Sequence, residues 1–175
     1  MSNTRQVPLL ALRFEKMEDN WTLVLVRDLR HPPAKVWQAL TDPEHLREWA
    51  PFDSDRNLGT VGTATLSTVG APTPHVSETH VKRADAPKAL EFSWGGQDIR
   101  WELEPLGGGG TRLTLWHNID RRFISMGAAG WHICFDVLDR LLAGRADWTH
   151  RRRRRHEVRR LAATERRSTP AAVRR

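Results

Sequence analysis

Cysteine and tyrosine are almost missing from this chain of 175 residues. Cys134 is the single cysteine, so the chain can form no internal disulfide. It lies among apolar residues, and we expect a small buried side chain rather than a catalytic thiol. Tyrosine is absent, whereas there are eight tryptophans and five phenylalanines. The aromatic surface of a core or of a binding site must therefore come from tryptophan and phenylalanine.

Long apolar runs are also missing. No segment approaches the roughly 20 apolar residues that span a bilayer. Residues 1–20 carry charges too early and too often for the apolar region of a signal peptide. We therefore expect a cytoplasmic protein without a membrane span. The length suits one domain with a substantial core.

Lysine is scarce, and arginine supplies most of the positive charge. The formal net charge is +7, but residues 145–175 hold twelve arginines against three acidic residues, which is +9. Residues 1–144 carry 16 basic and 18 acidic groups, which is −2. Because the body of the chain is nearly neutral, its charge gives no indication of a nucleic-acid partner.

The arginine-rich segment, residues 145–175, has no apolar stripe, and we expect it to be disordered. Binding to nucleic acid or to an anionic membrane by counterion release is the alternative. Apart from Trp148, however, the segment lacks aromatic side chains for base stacking, so nucleic acid is not the expected partner. Since 24 arginines against four lysines suggest a GC-rich genome, an altered reading frame is a third hypothesis.

The region between these ends is dominated by alternating apolar and polar residues, which is typical of antiparallel strands. Glycines at 107–110 allow the positive φ of a hairpin connection. In that hairpin Ile99, Trp101 and Leu103 are expected to face Leu113, Leu115 and His117. The predicted strands are 21–29, 62–67, 76–83, 89–94, 98–104 and 111–118. Residues 1–20 are expected to form a loosely ordered leader with a short strand near 9–14.

Three segments have helical patterns. In 127–143, Trp131, Phe135 and Leu138 fall on one line, and the opposite face is polar, so we predict a long helix packed on the sheet, with Ser125 as its N-cap. Two short helices precede the later strands. The first follows Pro32 and Pro33 and covers 34–40; the second begins at Pro43, capped by Thr41 or Asp42, and is closed by Pro51.

Four segments carry a resemblance to a known family: VWQALTDPEHLREWAPF (36–52), APKALEFSW (86–94), WELEPLGGGGTRLTLWHN (101–118) and GWHICFDVLDRLLAG (130–144). Together they resemble the SRPBCC or START-like superfamily, and within it the bacterial domains related to the activator of the heat-shock-protein-90 ATPase. The resemblance covers residues 21–144 and implies an α+β helix-grip (Bet v 1-like) fold. A curved antiparallel sheet would wrap around the long C-terminal helix, with two short helices and a cavity between.

The functions of this superfamily imply three alternatives. The expected one is binding of a small hydrophobic or aromatic molecule in the cavity, without catalysis and without a cofactor. The second is a protein-interaction module with a partner such as a chaperone, as in the ATPase activators. The third is a cyclase-like or aromatase-like enzyme, in which His117 or Glu78 moves protons.

The expected ligand-binding residues are aromatic side chains and one histidine. Ordinary core packing, at about 1.5–3 kcal/mol for each buried aromatic, is the alternative role for the aromatics. For His117, which alternation places on the inward face, the alternative is a buried histidine with satisfied hydrogen bonds. The set is Trp49 and Phe52 at the mouth, Trp94, Trp101 and His117 on the sheet, and Trp131 and Phe135 on the helix.

A metal site is not expected. Suitable side chains are present, but none has the compact spacing of a zinc motif. The candidates considered are His75, Glu78, His80, His117 and His132.

Overall fold

The alternating segments form nine strands in the computed structural model, which describes residues 10–17 and 20–144. The strands are β1 (Leu10–Met17), β2 (Asn20–Leu29), β3 (Phe52–Ser54), β4 (Gly62–Thr68), β5 (Val76–Val81), β6 (Arg83–Asp85), β7 (Ala89–Trp94), β8 (Gln97–Pro105) and β9 (Thr111–Ile119). The helices are α1 (Pro33–Thr41), α2 (Pro43–Trp49) and α3 (Ile124–Leu142), and a 3₁₀ turn over Arg121–Phe123 precedes α3. The expected α+β class with one long C-terminal helix is confirmed.

Two antiparallel sheets are formed. The larger has the strand order β1-β2-β9-β8-β7-β6, and the smaller has the order β3-β4-β5. In the β8–β9 hairpin Ile99 lies opposite His117, Trp101 opposite Leu115, and Leu103 opposite Leu113. The predicted register of this hairpin is therefore confirmed.

Proline and aspartate set the two short helices. Pro33 begins α1, where the missing N–H of proline costs no helical hydrogen bond. Asp42 ends α1 and caps α2, because its carboxylate accepts a hydrogen bond from the backbone N–H of Glu44 (2.9 Å). Of the two expected caps, Asp42 is the one used; the Thr41 hydroxyl donates to the carbonyl of Trp37 instead (2.9 Å).

The start of α3 differs from the prediction. Ser125 is not its N-cap: the helix begins one residue earlier, at Ile124, and its N-terminus has no side-chain cap. The capping interaction lies upstream, where the Asp120 carboxylate accepts from the backbone N–H of Arg122 (2.9 Å) and starts the 3₁₀ turn. A 3₁₀ turn running into an α-helix has no distinctive residue pattern, so the sequence did not reveal it.

The predicted apolar stripe of α3 packs on the larger sheet. Trp131, Phe135 and Leu138 are at most 3% exposed. The polar side of α3 is also joined to the larger sheet, since Arg27 of β2 forms a 2.8 Å ion pair with Asp136 of α3. At the C-terminal end the Lys35 ammonium donates to the carbonyl of Leu142 (2.7 Å), which satisfies one of the free carbonyls there.

Among residues 10–17 and 20–144, no helix has the length and apolar character needed to cross a membrane.

Three strands differ from expectation. The predicted strand 76–83 is divided at Lys82 into β5 and β6, which belong to different sheets. Strand β3 has only three residues, too few for an alternating pattern. Strand β1 extends over eight residues and pairs along its whole length with β2, where only a short strand was expected. The arginine-rich segment, predicted to be disordered, lies outside the described residues.

The two glycines in the first half of α3 give a test of helix packing. A Cβ added at Gly130 meets no atom within 4 Å, whereas one added at Gly127 would lie 2.5 Å from Cδ1 of Ile119. Gly130→Ala is expected to raise the free energy of unfolding by about 0.5–1 kcal/mol through helix propensity. Gly127→Ala is expected to gain clearly less or to lose stability, because Ile119 must move. Urea unfolding measures both, and equal gains would contradict the packing.

Candidate functional site

The seven residues expected to bind a ligand lie together in one layer between the larger sheet and α3. The layer is called the aromatic layer below and consists of Trp49, Phe52, Trp94, Trp101, His117, Trp131 and Phe135. Adjacent ring centroids are 5.3–6.3 Å apart, mostly in edge-to-face or tilted arrangements. Such pairs contribute beyond the burial of apolar area.

Six helices and strands supply the layer. Strands β7, β8 and β9 contribute Trp94, Trp101 and His117, because all three occupy positions on the inward face of the larger sheet. Helix α3 contributes Trp131 and Phe135 at i and i+4, which places them on one face. Helix α2 and strand β3 contribute Trp49 and Phe52 from the other side.

Trp49 and Phe52 do not lie at a mouth, as the sequence had suggested. They are 0% and 1% exposed, respectively. The Trp49 indole N–H donates to the carbonyl of Ala39 (2.8 Å), so this side chain fixes α2 to α1. The helix pair turns the two residues inward because α2 packs against both β3 and α3. This placement agrees with the core-packing alternative for both.

Trp94 is the member of the layer that reaches the surface. It is half-buried, and its ring contacts Phe52, His117 and Trp131. Its indole N–H makes no hydrogen bond to any residue in the described part of the chain. Part of an aromatic side chain is therefore accessible at this end of the layer.

His117 is the one strongly polar group in the layer, and both of its ring nitrogens are bonded. The Trp131 indole N–H donates to Nδ1 (2.9 Å), and Nε2 lies 2.8 Å from Oε1 of Gln97. An indole nitrogen can only donate, so Nδ1 must be the unprotonated nitrogen. Nε2 then carries the proton and donates to Gln97. The result is a hydrogen-bonded chain from α3 through β9 to β8.

Burial lowers the pKa of His117 to about 4. The side chain is 2% exposed, and no anion offsets the loss of hydration of the charged ring. At neutral pH the ring is therefore neutral, in the tautomer that the two hydrogen bonds require. This corresponds to the satisfied buried histidine that was the alternative reading of the sequence.

Gln97 was missed as a site residue. Two signals could have found it. It lies two and four positions before Ile99 and Trp101, respectively, and side chains alternate along a strand, which places Gln97 on the inward face of β8. It also follows Gly95 and Gly96, whose φ values of +58° and +79° make the two-residue turn that joins β7 to β8. This turn sets Gln97 directly opposite Trp94.

The remaining polar candidates do not join the layer. Glu78 and His80 are both exposed on β5, so they face away from the core. His132 lies on the polar side of α3, with Nε2 3.9 Å from the Asp136 carboxylate. Within the described residues, no group of three or more His, Cys, Asp or Glu side chains is arranged to hold a metal ion.

Comparisons with known proteins agree with this architecture. The model of a family described as Activator of Hsp90 ATPase homolog 1-like protein matches residues 30–143. No curated protein matches the chain significantly. Several solved structures are similar to it.

One is EF2215, a conserved protein of unknown function from Enterococcus faecalis, with 17% identity, a TM-score of 0.61, and coverage of 87% of this chain and 91% of that one. CalU16 from Micromonospora echinospora has 20% identity and a TM-score of 0.59, with 87% and 93% covered. MLL2253 from Mesorhizobium loti has 26% identity and a TM-score of 0.61, with 73% and 99% covered.

The buried state of His117 predicts a pH-dependent stability. The unfolded chain takes up a proton near pH 6.5, whereas the folded protein does so only near pH 4. The unfolded state therefore binds more protons between these values, and stability falls as the pH falls from 6.5 to 4. The loss is expected to be about 3 kcal/mol, since one pKa unit corresponds to about 1.4 kcal/mol.

His117→Gln should flatten this part of the curve of unfolding free energy against pH, whatever it does to stability at pH 7. His80→Gln, at an exposed position of β5, is the control and should leave the curve unchanged. A wild-type slope that persists in His117→Gln would contradict the assignment.

Proposed function

The chain belongs to the family of Activator of Hsp90 ATPase homolog 1-like proteins, and we propose that it binds a small hydrophobic or aromatic molecule in its aromatic layer. The ligand would enter at the half-buried end formed by Trp94 and stack between the larger sheet and α3. The observation that carries this proposal is the continuity of the layer, from Trp94 at the surface to Trp101 and Phe135 in the core.

The first half of α3 supports entry at this end. Residues 124–130 include Gly127 and Gly130, and each helical glycine costs about 1 kcal/mol relative to alanine. The helix start also has no side-chain cap. This part of α3 therefore has a low intrinsic helix stability, and it immediately precedes Trp131. A small movement of it opens the contact between Trp94 and Trp131 without breaking the sheet.

The hydrogen bonds of His117 favour binding over catalysis. Both ring nitrogens are occupied, and burial keeps the ring neutral at pH 7. A ligand would have to replace Trp131 or Gln97 to reach the imidazole. Glu78, the other residue considered for proton transfer, is exposed on β5 and outside the layer. An apolar ligand that stacks on rings fits this arrangement better than a substrate that exchanges protons.

The proposal is tested with the neutral fluorescent probe N-phenyl-1-naphthylamine. Trp94→Ser is expected to weaken binding of the probe at least fivefold, because it removes the accessible aromatic face; this corresponds to about 1 kcal/mol. The matched control is Trp116→Ser. Trp116 lies on the opposite face of the same sheet, under the guanidinium of Arg100 (4.1 Å). Equal affinities for the two variants, or no binding by the wild type, would refute the proposal.

An activator-like interaction with a chaperone is the second candidate, and a different observation favours it. Three large apolar side chains at and after the start of α3 are exposed: Phe123 (45%), Met126 (67%) and Ile133 (37%). Met126 and Ile133 are seven residues apart and so lie on one side of the helix. Exposed apolar clusters are characteristic of interaction surfaces. This role would require the cytoplasmic location that the sequence predicts.

The two candidates are separated by an Hsp90 ATPase assay. If the exposed side of α3 is used, Met126→Ser combined with Ile133→Ser should reduce stimulation at least fivefold, whereas Trp94→Ser should preserve it. The control is Val61→Ser combined with Val76→Ser, which removes two exposed apolar side chains elsewhere (61% and 59% exposed). Absence of stimulation by the wild type, or an equal loss in both double variants, would exclude this surface as the activator site.

A further inference from the structure

Strand β1 forms one edge of the larger sheet. It stands at the end of the strand order and pairs along its length with β2, and its other side pairs with no strand among residues 10–17 and 20–144. Residues 12–16 are all exposed, and two of them are large and apolar: Leu12 (49%) and Phe14 (41%). An exposed edge strand with apolar side chains is a template for pairing with a further strand.

The hairpin of β1 and β2 determines which backbone groups point to the open edge. Met17 lies opposite Asn20, and two residues separate them. Residues that flank a two-residue connection form a hydrogen-bonded pair, and such pairs recur at every second position of an antiparallel ladder. The N–H and C=O groups of residues 11, 13, 15 and 17 therefore point to β2. Those of Leu12, Phe14 and Lys16 point to the open edge.

A second copy of β1 fits this edge when the two strands run antiparallel about a two-fold axis at Phe14. Phe14 then lies opposite Phe14 of the second copy, and Leu12 lies opposite Lys16. All three residues whose backbone groups point to the edge thus face their own counterparts and can exchange hydrogen bonds. The same register places Arg13 opposite Glu15 of the second copy.

The charges of β1 select this register. Charged side chains on an edge strand ordinarily oppose pairing, but Arg13 and Glu15 are complementary to themselves. They lie 3.1 Å apart within one chain, and on β2 they face only Val24 and Thr22, which are uncharged. A shift of the register by two residues would place two arginines or two glutamates directly opposite each other, which is destabilising. A shift by one residue would place the apolar face of one copy beside the charged face of the other.

We propose that a second copy of this chain pairs with β1 and joins the two larger sheets into one continuous antiparallel sheet. The interface is isologous, as expected for a two-fold dimer. Phe14 packs against its counterpart, and the aliphatic part of Lys16 covers Leu12 of the other copy. Because a contact between two strands is smaller than a standard interface, monomer and dimer are in equilibrium at micromolar concentrations.

The proposal is tested by sedimentation equilibrium of the full chain at low ionic strength. The wild type is expected to change from monomer to dimer between about 1 μM and about 1 mM. Arg13→Glu and Glu15→Arg are each expected to weaken the dimer about tenfold, because the two-fold axis repeats the like-charge contact. Arg13→Glu combined with Glu15→Arg exchanges the two charges and should return the dissociation constant to within about threefold of the wild type.

Cysteine cross-linking tests the position of the axis. Opposite residues of a hydrogen-bonded pair have Cα atoms about 5.5 Å apart, which suits a disulfide. Phe14→Cys is therefore expected to give a covalent dimer on treatment with oxidised glutathione. Leu12→Cys is the matched control on the same face of β1, since its two copies would lie about 14 Å apart. Cys134 is buried and is retained in both variants.

Four results would overturn the proposal. The first is a monomer at every concentration, which would leave the edge to another segment of this chain or to a different protein. The second is a charge-exchanged variant that dimerises no better than the single variants. The third is equal cross-linking of Phe14→Cys and Leu12→Cys. The fourth is a dimer that is lost in Met126→Ser combined with Ile133→Ser, which would place the interface on α3.

The dimer is independent of ligand binding by the aromatic layer. Trp94 lies on β7, away from the β1 edge, and Trp94→Ser should leave the dissociation constant of the dimer unchanged. A failure of the aromatic layer to bind its probe and a failure of dimerisation are therefore distinguishable.

Discussion

Packing of α3 on the inward face of the larger sheet is the constraint on which the rest of the structure depends. The contact is made by the aromatic layer, whose side chains come from six helices and strands, and burial of each ring contributes on the order of 1.5–3 kcal/mol. His117 is buried in the middle of this apolar contact, where an unpaired nitrogen would be costly. The donors and acceptors of Trp131 and Gln97 remove that cost, so that α3, β9 and β8 are fixed in one relative position.

This arrangement has two consequences for function. The aromatic layer that stabilises the domain is also the surface proposed for ligand binding, so a ligand must compete with existing ring contacts. The competition is weakest at Trp94, which is half-buried and next to the glycine-containing part of α3. The same hydrogen-bonded chain fixes the orientation of the Gln97 amide on β8.

Much of the fold follows from short-range patterns. Alternation predicted most of the strands and the register of the β8–β9 hairpin, and the apolar stripe predicted α3, because each depends on residues a few positions apart. The start of α3 and the division of the strand at Lys82 were not predicted. Both depend on the path of the chain in the folded protein. A 3₁₀ turn follows Asp120, and the chain passes from the smaller to the larger sheet between β5 and β6.

For the candidate site, the sequence by itself determined which side chains of the long elements face inward: Trp101 and His117 by alternation in the β8–β9 hairpin, and Trp131 and Phe135 by their spacing on α3. Only the tertiary structure decided what they do there. The hydrogen bonds of Trp49 with Ala39 and of His117 with Gln97 and Trp131 join residues 10 to 20 positions apart in the chain. Burial of Phe52 and partial exposure of Trp94 depend on the packing of separate elements. Parity fixes the direction of a side chain, whereas its partners, its exposure and its protonation are set by the elements that fold onto it.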